Sequence, residues 1–273
     1  MSDSRHDGGE QHERLEPTVT GRAHDGRVAI VTGGASGIGR AAVEALVAGG
    51  ARVVAVDLHV DGVTETDAIA TLAGDVTNPD TNAAAVALAM ERFGRLDAVA
   101  FNAGIPTSGP LMELPIDQFD RCLEVNVRAV VLGMRAVVPA LRASGAGRIT
   151  VTASTSGIAG DPNMWPYNTA KAAAINLVRG AALELARDSI TVNAVCPGPT
   201  ETGMTAGISA LPDRYEGLRR AIPLQRWGQA AEVAAAIDFL LSPAASFITG
   251  AVLPVDGGIG ASTGQFAPHP LPD

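Results

Sequence analysis

The stretch Val28-Ala29-Ile30-Val31-Thr32-Gly33-Gly34-Ala35-Ser36-Gly37-Ile38-Gly39 decides the fold. Its first four residues form a short apolar run with β-branched side chains, which is typical of a buried parallel strand. A glycine-rich turn follows, and a helical pattern then runs from Arg40 to Ala48. In such a strand–turn–helix unit, backbone N–H groups and the helix N-terminus point at an anion. The unit predicts a dinucleotide site, although its spacing is G-x-x-x-G-x-G rather than G-x-G-x-x-G, and a tight turn without a ligand is the alternative.

Strand and helix patterns alternate along most of the chain, which predicts βαβ units and a parallel sheet. Strands are predicted at Val28–Val31, Arg52–Asp57, Leu72–Asp75, Ala98–Asn102, Arg148–Ala153, Ile190–Val195 and Ala251–Val255. Helices are predicted at Arg40–Ala48, Asn82–Phe93, Ile116–Leu141, Tyr167–Arg187 and Glu232–Leu241. Leu58–Thr71 is too weakly patterned for more than a turn or two of helix, and Pro199–Pro223 is irregular or loosely helical. The expected fold is α/β of the Rossmann type, a doubly wound parallel sheet of about seven strands with helices on both faces.

Composition suits a single packed domain, since 47% of the 273 residues are hydrophobic and 18% are charged. We expect that domain over residues 26–260, a disordered polar tail over 1–25 and a loose arm over 261–273. The net charge of −9 argues against a nucleic-acid surface. No apolar run is long enough to span a membrane and no signal-peptide pattern opens the chain, so a cytoplasmic location without a membrane partner is expected.

The cysteines and histidines indicate no metal site. Cys122 and Cys196 have no metal-ligand neighbours, and the five histidines form no zinc or iron pattern. Both thiols are expected to be small, buried apolar groups in a reducing compartment.

Acidic residues follow the second and third predicted strands. Asp57 lies roughly 20 residues beyond the glycine turn, where a carboxylate accepts from the ribose 2′-hydroxyl of NAD and repels the 2′-phosphate of NADP. Ser36 offers NADP no positive charge, and Arg40 is expected to face solvent. NAD is therefore the predicted cofactor, with a plain strand-end turn as the alternative role for Asp57. Asp75-Val76 is expected at the adenine amino group, with a helix cap as the alternative.

Tyr167 and Lys171 are four residues apart in a helical pattern, so their side chains share one face. A phenol with an ordinary pKa of about 10 is a poor acid or base at neutral pH. An adjacent ammonium favours the phenolate and lowers that pKa, as general acid–base catalysis requires. An isolated pair of this kind is more often a surface tyrosine and a solvated lysine. The surrounding motifs favour catalysis.

Together these features resemble the short-chain dehydrogenase/reductase family, in its compact single-domain branch. The matching stretches are Thr32-Gly33-Gly34-Ala35-Ser36-Gly37-Ile38-Gly39, Asp75-Val76, Asn102-Ala103-Gly104, Val125-Asn126-Val127, Ser154, Tyr167-x-x-x-Lys171, Pro197-Gly198 and Val255-Asp256-Gly257-Gly258. The resemblance runs from about Arg27 to about Gly260 and includes the thirteen residues from Ser154 to Tyr167. The short Leu58–Thr71 segment lacks most of a crossover helix that many relatives carry. In this respect the chain resembles the NAD-dependent dihydrodiol dehydrogenases of the 2,3-dihydro-2,3-dihydroxybenzoate type.

The resemblance implies a role for each matching residue. Tyr167 would be the general acid in reduction and the general base in oxidation, while Lys171 would bind the nicotinamide ribose and keep Tyr167 acidic. Ser154 would hydrogen-bond the substrate oxygen. Asn126 would hold a water that links Lys171 to solvent. The implied cofactor-binding residues are Gly33, Ser36, Gly37, Ile38, Gly39, Asp57, Leu58, Asp75, Val76, Asn102, Ala103, Gly104, Tyr167, Lys171, Pro197, Gly198, Thr200 and Thr202.

The substrate pocket is expected between three segments, Ile105–Leu111, Ser156–Trp165 and a lid over Gly203–Ile222. Met164 and Trp165 are candidates for an apolar wall, together with Ser154 and Tyr167 at the reacting oxygen, and core packing is the alternative for the first two.

Two residue sets in this pocket have more than one interpretation. Thr155 and Ser156 compete with Ser154 by residue type, and spacing favours Ser154. The lid arginines either attract an acidic substrate or form a solvated face; they are Arg214, Arg219 and Arg220.

The preferred hypothesis is an NAD-dependent oxidoreductase that interconverts a secondary alcohol and a ketone of a small cyclic or apolar molecule. An epimerase or dehydratase is disfavoured because only about 75 residues follow Pro197-Gly198, and an enoyl reductase because Tyr167 and Lys171 lie four apart, not seven. The alternative from another class is a non-catalytic dinucleotide-binding sensor. The resemblance also implies a homo-oligomer, a tetramer or dimer paired through Ile116–Leu141 and Tyr167–Arg187, and we predict the tetramer.

Overall fold

The structure, a computed structural model, describes residues 22–263. Its strands are β1 (Val28–Thr32), β2 (Arg52–Asp57), β3 (Ile69–Ala73), β4 (Ala98–Phe101), β5 (Arg148–Thr152), β6 (Thr191–Pro197), β7 (Thr200–Glu201), β8 (Gly228–Gln229) and β9 (Val252–Val255). Its α-helices are α1 (Gly37–Ala48), α2 (Pro79–Phe93), α3 (Ile116–Leu123), α4 (Ala129–Ser144), α5 (Trp165–Leu185), α6 (Ala206–Ser209), α7 (Pro212–Ala221) and α8 (Ala230–Leu241). A π-helical turn, Glu124–Arg128, joins α3 to α4. Short 3-10 turns lie at Thr155–Gly157, Ala186–Asp188, Gly203–Thr205, Pro243–Ala245 and Ile259–Ala261.

Seven strands form one parallel sheet in the order β3-β2-β1-β4-β5-β6-β9. The apolar run of β1 is buried at every position and pairs with β2 on one side and β4 on the other. The strand order reverses between β1 and β4, so the loops after these two strands diverge and leave a crevice at their carboxyl ends. This topology confirms the doubly wound α/β fold that the alternation predicts.

Helices cover both faces of the sheet. One core cluster packs α2, α4 and α5 against the sheet through residues such as Phe93, Met134 and Val178. The other packs α1 and α8 through residues such as Leu46 and Ile237. The second face carries fewer helices because β2 returns to β3 without one.

The connection from β2 to β3 contains no helix, as its weak pattern predicts. Hydrogen bonds to Glu65 and Thr66 hold the loop, since Glu65 Oε1 accepts from both the backbone N and the hydroxyl of Thr71. The predicted bounds of the third strand are wrong: it covers Ile69–Ala73 rather than Leu72–Asp75. Pairing of Val53 with Ile69 sets its start, and Asp75 turns away to bind the backbone of Thr77.

The predicted tail over residues 1–25 lies outside the described residues up to position 21, as does the predicted arm from 264 to 273. The predicted boundary of the N-terminal tail at residue 25 is wrong, because His24 is 1% exposed and its Nε2 lies 2.8 Å from Asp238 Oδ1. The backbone N of His24 also donates to Gly49 O. These contacts tie the turn before β1 to α1 and α8.

The predicted helix over Ile116–Leu141 is wrong in one respect, since the π-turn interrupts it. The remaining elements start and end within about three residues of the predicted positions. Cys122 and Cys196 are both fully buried, as predicted. Among the described residues, no helix combines the length and the apolarity that a membrane span requires.

Candidate active site

The carboxyl ends of the central strands open into a cavity of about 750 Å³. Most of the predicted site residues line it. They are Gly33, Ser36, Gly37, Ile38, Asp57, Leu58, Asp75, Val76, Asn102, Ala103, Gly104, Ser154, Met164, Tyr167, Lys171, Pro197, Gly198, Thr200 and Thr202. Gly39, Asn126 and Trp165 do not line it.

The glycine turn after β1 needs glycine for its shape. Gly33 and Gly37 have φ values of +65° and +51°, which disfavour any side chain. A Cβ at Gly39 would collide with the carbonyl oxygen of Gly33, so Gly39 acts behind the cavity wall by letting the turn close. Ser36 precedes the first turn of α1 without capping it, which leaves the N–H groups of that turn for a ligand.

Hydrogen bonds join this turn to the loop after β4. Thr32 Oγ1 accepts from the backbone N of Asn102 at 3.0 Å and of Ala103 at 3.2 Å. Asn102 in turn donates to Gly33 O and accepts from the hydroxyl of Thr152. The polar strand ends of β1, β4 and β5 are thereby held in one rigid wall.

Asp57 ends β2 at the edge of the cavity. Its Oδ2 accepts from the backbone N of Ala35 at 3.0 Å, and its Oδ1 accepts from the backbone N of Leu58 at 2.8 Å. These bonds anchor the carboxylate beside the glycine turn, while each oxygen keeps a lone pair for a ligand. Arg40 faces solvent, as predicted, and pairs with Glu44 at 3.0 Å.

Asp75 binds its own loop rather than capping a helix. Its Oδ1 accepts from the backbone N and hydroxyl of Thr77, which holds the pKa of the carboxyl below its ordinary value, and Arg121 adds to this effect. Asn78, not Asp75, caps α2. Arg121 Nη2 lies 3.2 Å from Asp75 Oδ2 and lines the cavity, although no motif singles out Arg121 in the sequence.

Lys171 lies beneath Tyr167 at the inner end of the cavity. Its Nζ is 5.4 Å from the centroid of the Tyr167 ring and donates to Thr152 O at 2.9 Å. Lys171 is only 4% exposed, and burial lowers the pKa of its ammonium to about 8. The helical spacing therefore does bring the two side chains together.

The pKa of Tyr167 moves against expectation. Burial raises it to about 12, because a phenolate is poorly solvated there, and the hydrogen bond with Ser154 offsets only part of that effect. The prediction that Lys171 lowers this pKa below its ordinary value is wrong for the protein alone. Desolvation favours the uncharged form of both side chains: it raises the pKa of Tyr167 and lowers the pKa of Lys171.

Ser154 is the hydroxyl that faces Tyr167, as spacing predicts. Its Oγ also accepts from the backbone N of Ser156 at 3.1 Å. The two competing hydroxyls are used elsewhere, since Thr155 donates to Pro197 O and Ser156 donates to Asp161 Oδ2.

Asn126 occupies the π-turn, where the helical ladder is disturbed and side chains can replace backbone bonds. Its Nδ2 donates to Cys122 O at 2.9 Å and to Ile105 O at 3.0 Å. Its Oδ1 is buried without a described hydrogen-bond partner. A Cβ at Gly104 would lie 2.6 Å from that oxygen and 3.2 Å from Lys171 Nζ, so glycine keeps the space between the two groups open.

The wall opposite the glycine turn comes from β6, β7 and the lid. Thr200 is buried and donates to Gly198 O at 2.9 Å, while Thr202 begins the 3-10 turn of the lid and shares a reciprocal cap with Thr205. The apolar part of this wall consists of five side chains: Met204, Ile208, Leu218, Trp227 and Ile259. Trp227 and Ile259 lie outside every segment that the sequence predicts for the pocket.

Met164 lines the cavity, whereas Trp165 does not. The Trp165 ring stacks on Phe119 with centroids 5.2 Å apart, so the predicted apolar wall consists of Met164 alone and Trp165 packs against α3.

The three lid arginines differ in their positions. Arg214 lines the cavity, whereas Arg219 and Arg220 both pair with Glu216.

No group of three or more potential metal ligands occurs within residues 22–263. The cavity instead offers backbone N–H groups, an acidic strand end and a Ser–Tyr–Lys set in which Ser154 and Lys171 are buried. A glycine cradle with free N–H groups suits a diphosphate, and the unpartnered oxygen of Asn126 suits a water beside Lys171. The residues present therefore fit a dinucleotide cofactor.

Comparison with known proteins agrees with this geometry. A family model described as enoyl-(acyl carrier protein) reductase matches residues 33–260. A 2-(R)-hydroxypropyl-CoM dehydrogenase from Xanthobacter autotrophicus is 38% identical over 243 residues, which cover 85% of this chain and 97% of that relative. A cis-4-hydroxycyclohexanecarboxylate dehydrogenase from Sinomonas cyclohexanicum is 39% identical over 247 residues, with coverages of 87% and 98%. The ligand-free aldohexose dehydrogenase of Thermoplasma acidophilum superposes with a TM-score of 0.84 at 30% identity, covering 90% of this chain and 98% of that one. The chain belongs to the short-chain dehydrogenase/reductase family, whose members bind a nicotinamide dinucleotide.

Proposed function

We propose that this protein is an NAD-dependent oxidoreductase that interconverts a secondary alcohol and a ketone, with Tyr167 as the general acid and base. One observation carries the proposal: Ser154, Tyr167 and Lys171 line the same cavity as the glycine turn and Asp57. A cofactor bound at the turn and a substrate bound at Tyr167 would therefore share one enclosed space.

The proton chemistry follows from the three side chains. Tyr167, with a pKa of about 12, holds its proton on Oη at neutral pH and can donate it to a carbonyl oxygen that gains charge during reduction. Ser154 would donate a second hydrogen bond to the same oxygen. The hydroxyls of Thr155 and Ser156 are not available for this role, because they donate to Pro197 O and Asp161 Oδ2. In oxidation the roles reverse, and Tyr167 accepts the proton of the alcohol.

Lys171 and Asn126 support Tyr167 from below. Lys171 presents its ammonium to the phenol ring and stabilises negative charge on Oη whenever the lysine is protonated. Asn126 Oδ1 has no described partner, so a water in the space beside Gly104 would connect Lys171 to bulk solvent. That arrangement would let the proton leave the site after each oxidation.

The cofactor would be held by Gly33, Gly37 and the first turn of α1, with Asp57 on the adenosine ribose. NAD, when bound, supplies the hydride acceptor for oxidation, and NADH supplies the donor for reduction. The preference for NAD rests on Asp57, whose carboxylate is anchored beside the turn and would repel a 2′-phosphate. Arg40 does not offset that charge, since it pairs with Glu44 in solvent.

The substrate would be a small alcohol or ketone on a cyclic or apolar frame. Met164, Met204, Ile208, Leu218 and Trp227 supply apolar surface around Tyr167. The names of the relatives, a 2-hydroxypropyl compound and a hydroxycyclohexane compound, support a secondary alcohol. Enoyl reduction, named by the matched family model, is not extended to this chain because Tyr167 and Lys171 lie four residues apart.

The test is NADH formation from NAD with a panel of secondary alcohols, cyclic diols and steroid-type alcohols. The chain has two tyrosines, which provide a matched pair of variants, Tyr167→Phe and Tyr215→Phe. We expect turnover by the wild type and by Tyr215→Phe, and a loss of about 100- to 10,000-fold in Tyr167→Phe, as for removal of a general acid or base. Equal activity of Tyr167→Phe would overturn the mechanism.

Two other results would change the assignment. Tight NAD binding without turnover of any alcohol or ketone would favour the non-catalytic sensor, and a higher catalytic efficiency with NADP would overturn the cofactor preference.

We also propose a homotetramer, paired through the segment Ile116–Ser144 and α5. Apolar side chains such as Ile116 and Leu183 are 67% and 84% exposed in the isolated chain, which supports burial in an assembly. Sedimentation velocity should give the tetramer mass, and a single monomer peak would contradict it.

A further inference from the structure

Asp161 places a carboxylate on the substrate side of the cavity, a group that the proposed reaction does not use. The alcohol-to-ketone chemistry needs only Ser154, Tyr167 and Lys171 at the reacting oxygen. Asp161 is exposed to solvent, and covering its carboxylate with a ligand is costly unless a hydrogen-bond donor meets it. The presence of Asp161 therefore bears on what the substrate carries.

Ser156 links Asp161 to Ser154 through two hydrogen bonds, one at its backbone N and one at its hydroxyl. Ser154 Oγ accepts from the backbone N of Ser156 at 3.1 Å, and Ser156 Oγ donates to Asp161 Oδ2 at 2.5 Å. Ser156 is only 9% exposed, so its hydroxyl is committed to this contact. The carboxylate is thus only two hydrogen bonds away from the hydroxyl that faces the reacting oxygen.

The backbone around Asp161 is also held in place. Its carbonyl oxygen accepts from the backbone N of Met164 at 3.2 Å and from Asn168 Nδ2 at 3.0 Å. Asn163 O accepts from the backbone N of Gly109 at 2.7 Å, which ties this loop to the one after β4. Asp161 therefore has a defined position relative to α5, the helix that carries Tyr167.

One oxygen of Asp161 remains available. Ser156 binds Oδ2, and no donor within the described part of the chain binds Oδ1. The negative charge of Asp161 also acts on Tyr167. Burial is the main cause of the raised Tyr167 pKa, and the charge of Asp161 raises it further. A ligand that fills the apolar pocket would cover Oδ1 and would need to supply a donor.

We propose that Asp161 is a specificity-determining residue that accepts a hydrogen bond from a second hydroxyl of the substrate, which makes a vicinal diol or its hydroxyketone the preferred substrate class. The inference rests on the proposed function, in which Tyr167 accepts the proton of the hydroxyl that becomes the ketone. The second hydroxyl stays unchanged in the reaction. Ser156 is the positioning residue, because it orients the carboxylate without reaching the substrate.

Three ring alcohols of similar size test this proposal: cyclohexanol, cis-1,2-cyclohexanediol and 2-methoxycyclohexanol. The methoxy compound fills the space of the second hydroxyl but donates no hydrogen bond. We expect the wild type to prefer the diol over both others in kcat/KM with NAD. Asp161→Ala should lose about 10- to 100-fold of that preference, the range for a hydrogen bond to a charged group, while its kcat/KM for cyclohexanol changes less than about threefold.

Conservative variants separate recognition from loop support. Asp161→Asn keeps a carbonyl acceptor and should retain part of the diol preference, and Ser156→Ala should lose less of it than Asp161→Ala. Asp67→Ala, at an exposed aspartate in the loop before β3 and outside the cavity, is the matched control and should behave as the wild type. Unchanged affinity for NAD in each variant shows that the fold is intact. A parallel loss with all three alcohols would mean that Asp161 only supports the loop, and would overturn the proposal.

Calorimetric titration of the same three compounds into the NADH-saturated protein gives a readout that needs no turnover. Diol-selective binding that Asp161→Ala abolishes would support the proposal even if no alcohol is oxidised, in which case only the proposed reaction fails. Turnover with an unchanged diol preference in Asp161→Ala would leave the reaction standing and overturn the role of Asp161. Absence of diol preference in both turnover and binding by the wild type would overturn it too.

Discussion

The two ends of the cavity are built by different means. We propose that the cofactor binds at the end with the glycine turn, the cofactor end, and the substrate at the end with the lid, the substrate end. At the cofactor end, the ends of buried strands and glycines with positive φ shape the wall, and bonds between Thr32 and the backbone of Asn102 lock it. At the substrate end, the lid helices α6 and α7 bury none of their own residues. The lid is held instead by side chains, since Tyr215 stacks on Trp227 at 4.9 Å and donates to Glu201 at 3.0 Å.

The difference teaches how one chain can combine a stable site with an adaptable one. A wall made of backbone tolerates few substitutions, because a Cβ or a different φ moves the main chain itself. A wall made of side chains on a lightly packed lid changes its shape at low cost in free energy. Substitutions at the two ends should therefore differ in kind and in size.

The largest expected effect is a pH dependence at the catalytic pair, where the two ends meet. Oxidation needs Tyr167 without its proton, and its pKa of about 12 keeps that form scarce, so kcat/KM for an alcohol should rise about tenfold per pH unit from pH 6 to 8. Above about 8 Lys171 loses its charge, so the rise should level off, and reduction should decline there. Initial rates in both directions across pH 6 to 10 test this, and a flat oxidation profile between pH 6 and 8 would contradict it.

Gly39→Ala should break the cofactor end. The new Cβ would meet the Gly33 carbonyl, which belongs to the main chain, so the turn has to move. Overpacking of about 1–3 kcal/mol corresponds to roughly 5- to 150-fold weaker NAD binding, measurable by fluorescence titration. Gly180→Ala in α5 is the control, because its Cβ would meet nothing within 4 Å and NAD binding should stay unchanged. Equal affinities in both variants would show that the turn is more adaptable than its geometry indicates.

Asp57→Asn should alter which cofactor the same end accepts. Removing the negative charge weakens the hydrogen bond from the NAD ribose and relieves repulsion of a 2′-phosphate, so the NAD-to-NADP ratio of kcat/KM should fall about tenfold or more. Asp61→Asn, an exposed aspartate in the loop after β2, is the matched control. An unchanged ratio in Asp57→Asn would remove the basis of the NAD preference.

The smallest effect is expected at the substrate end. Tyr215→Phe keeps the stack on Trp227 but loses the hydrogen bond to Glu201, which frees the lid slightly. KM for the alcohol should rise about threefold, as for loss of one exposed hydrogen bond, with NAD affinity unchanged. Steady-state kinetics with both substrates varied will separate the two constants. A change in NAD affinity larger than the change in KM would show that the two ends are coupled.

Several features could be predicted from the sequence because their signals are local. The run before Gly33 gives β1, the glycine spacing gives the turn, and the helical spacing of Tyr167 and Lys171 gives their shared face. Each depends on residues a few positions apart, where backbone preferences and side-chain periodicity decide the conformation.

Other features depend on contacts that no local pattern contains. His24 is held by a contact with Asp238, which lies more than two hundred positions away in the chain. Arg121 lines the cavity, where it forms an ion pair with Asp75. The raised pKa of Tyr167 results from burial by the assembled fold, against the direction that its neighbour Lys171 suggests.

The sequence by itself determined the doubly wound sheet, the glycine turn and the shared helical face of Tyr167 and Lys171, because strand and helix patterns, glycine conformation and helical spacing are properties of short segments. Only the tertiary structure decided that Trp165 packs against α3, that Asn126 lies in a π-turn with its side-chain oxygen unpartnered, and that Ser156 binds Asp161 in the wall of the cavity. The physical reason is that side-chain direction, desolvation and hydrogen-bond partners are set by which segments pack together, and packing joins residues that are far apart in the chain.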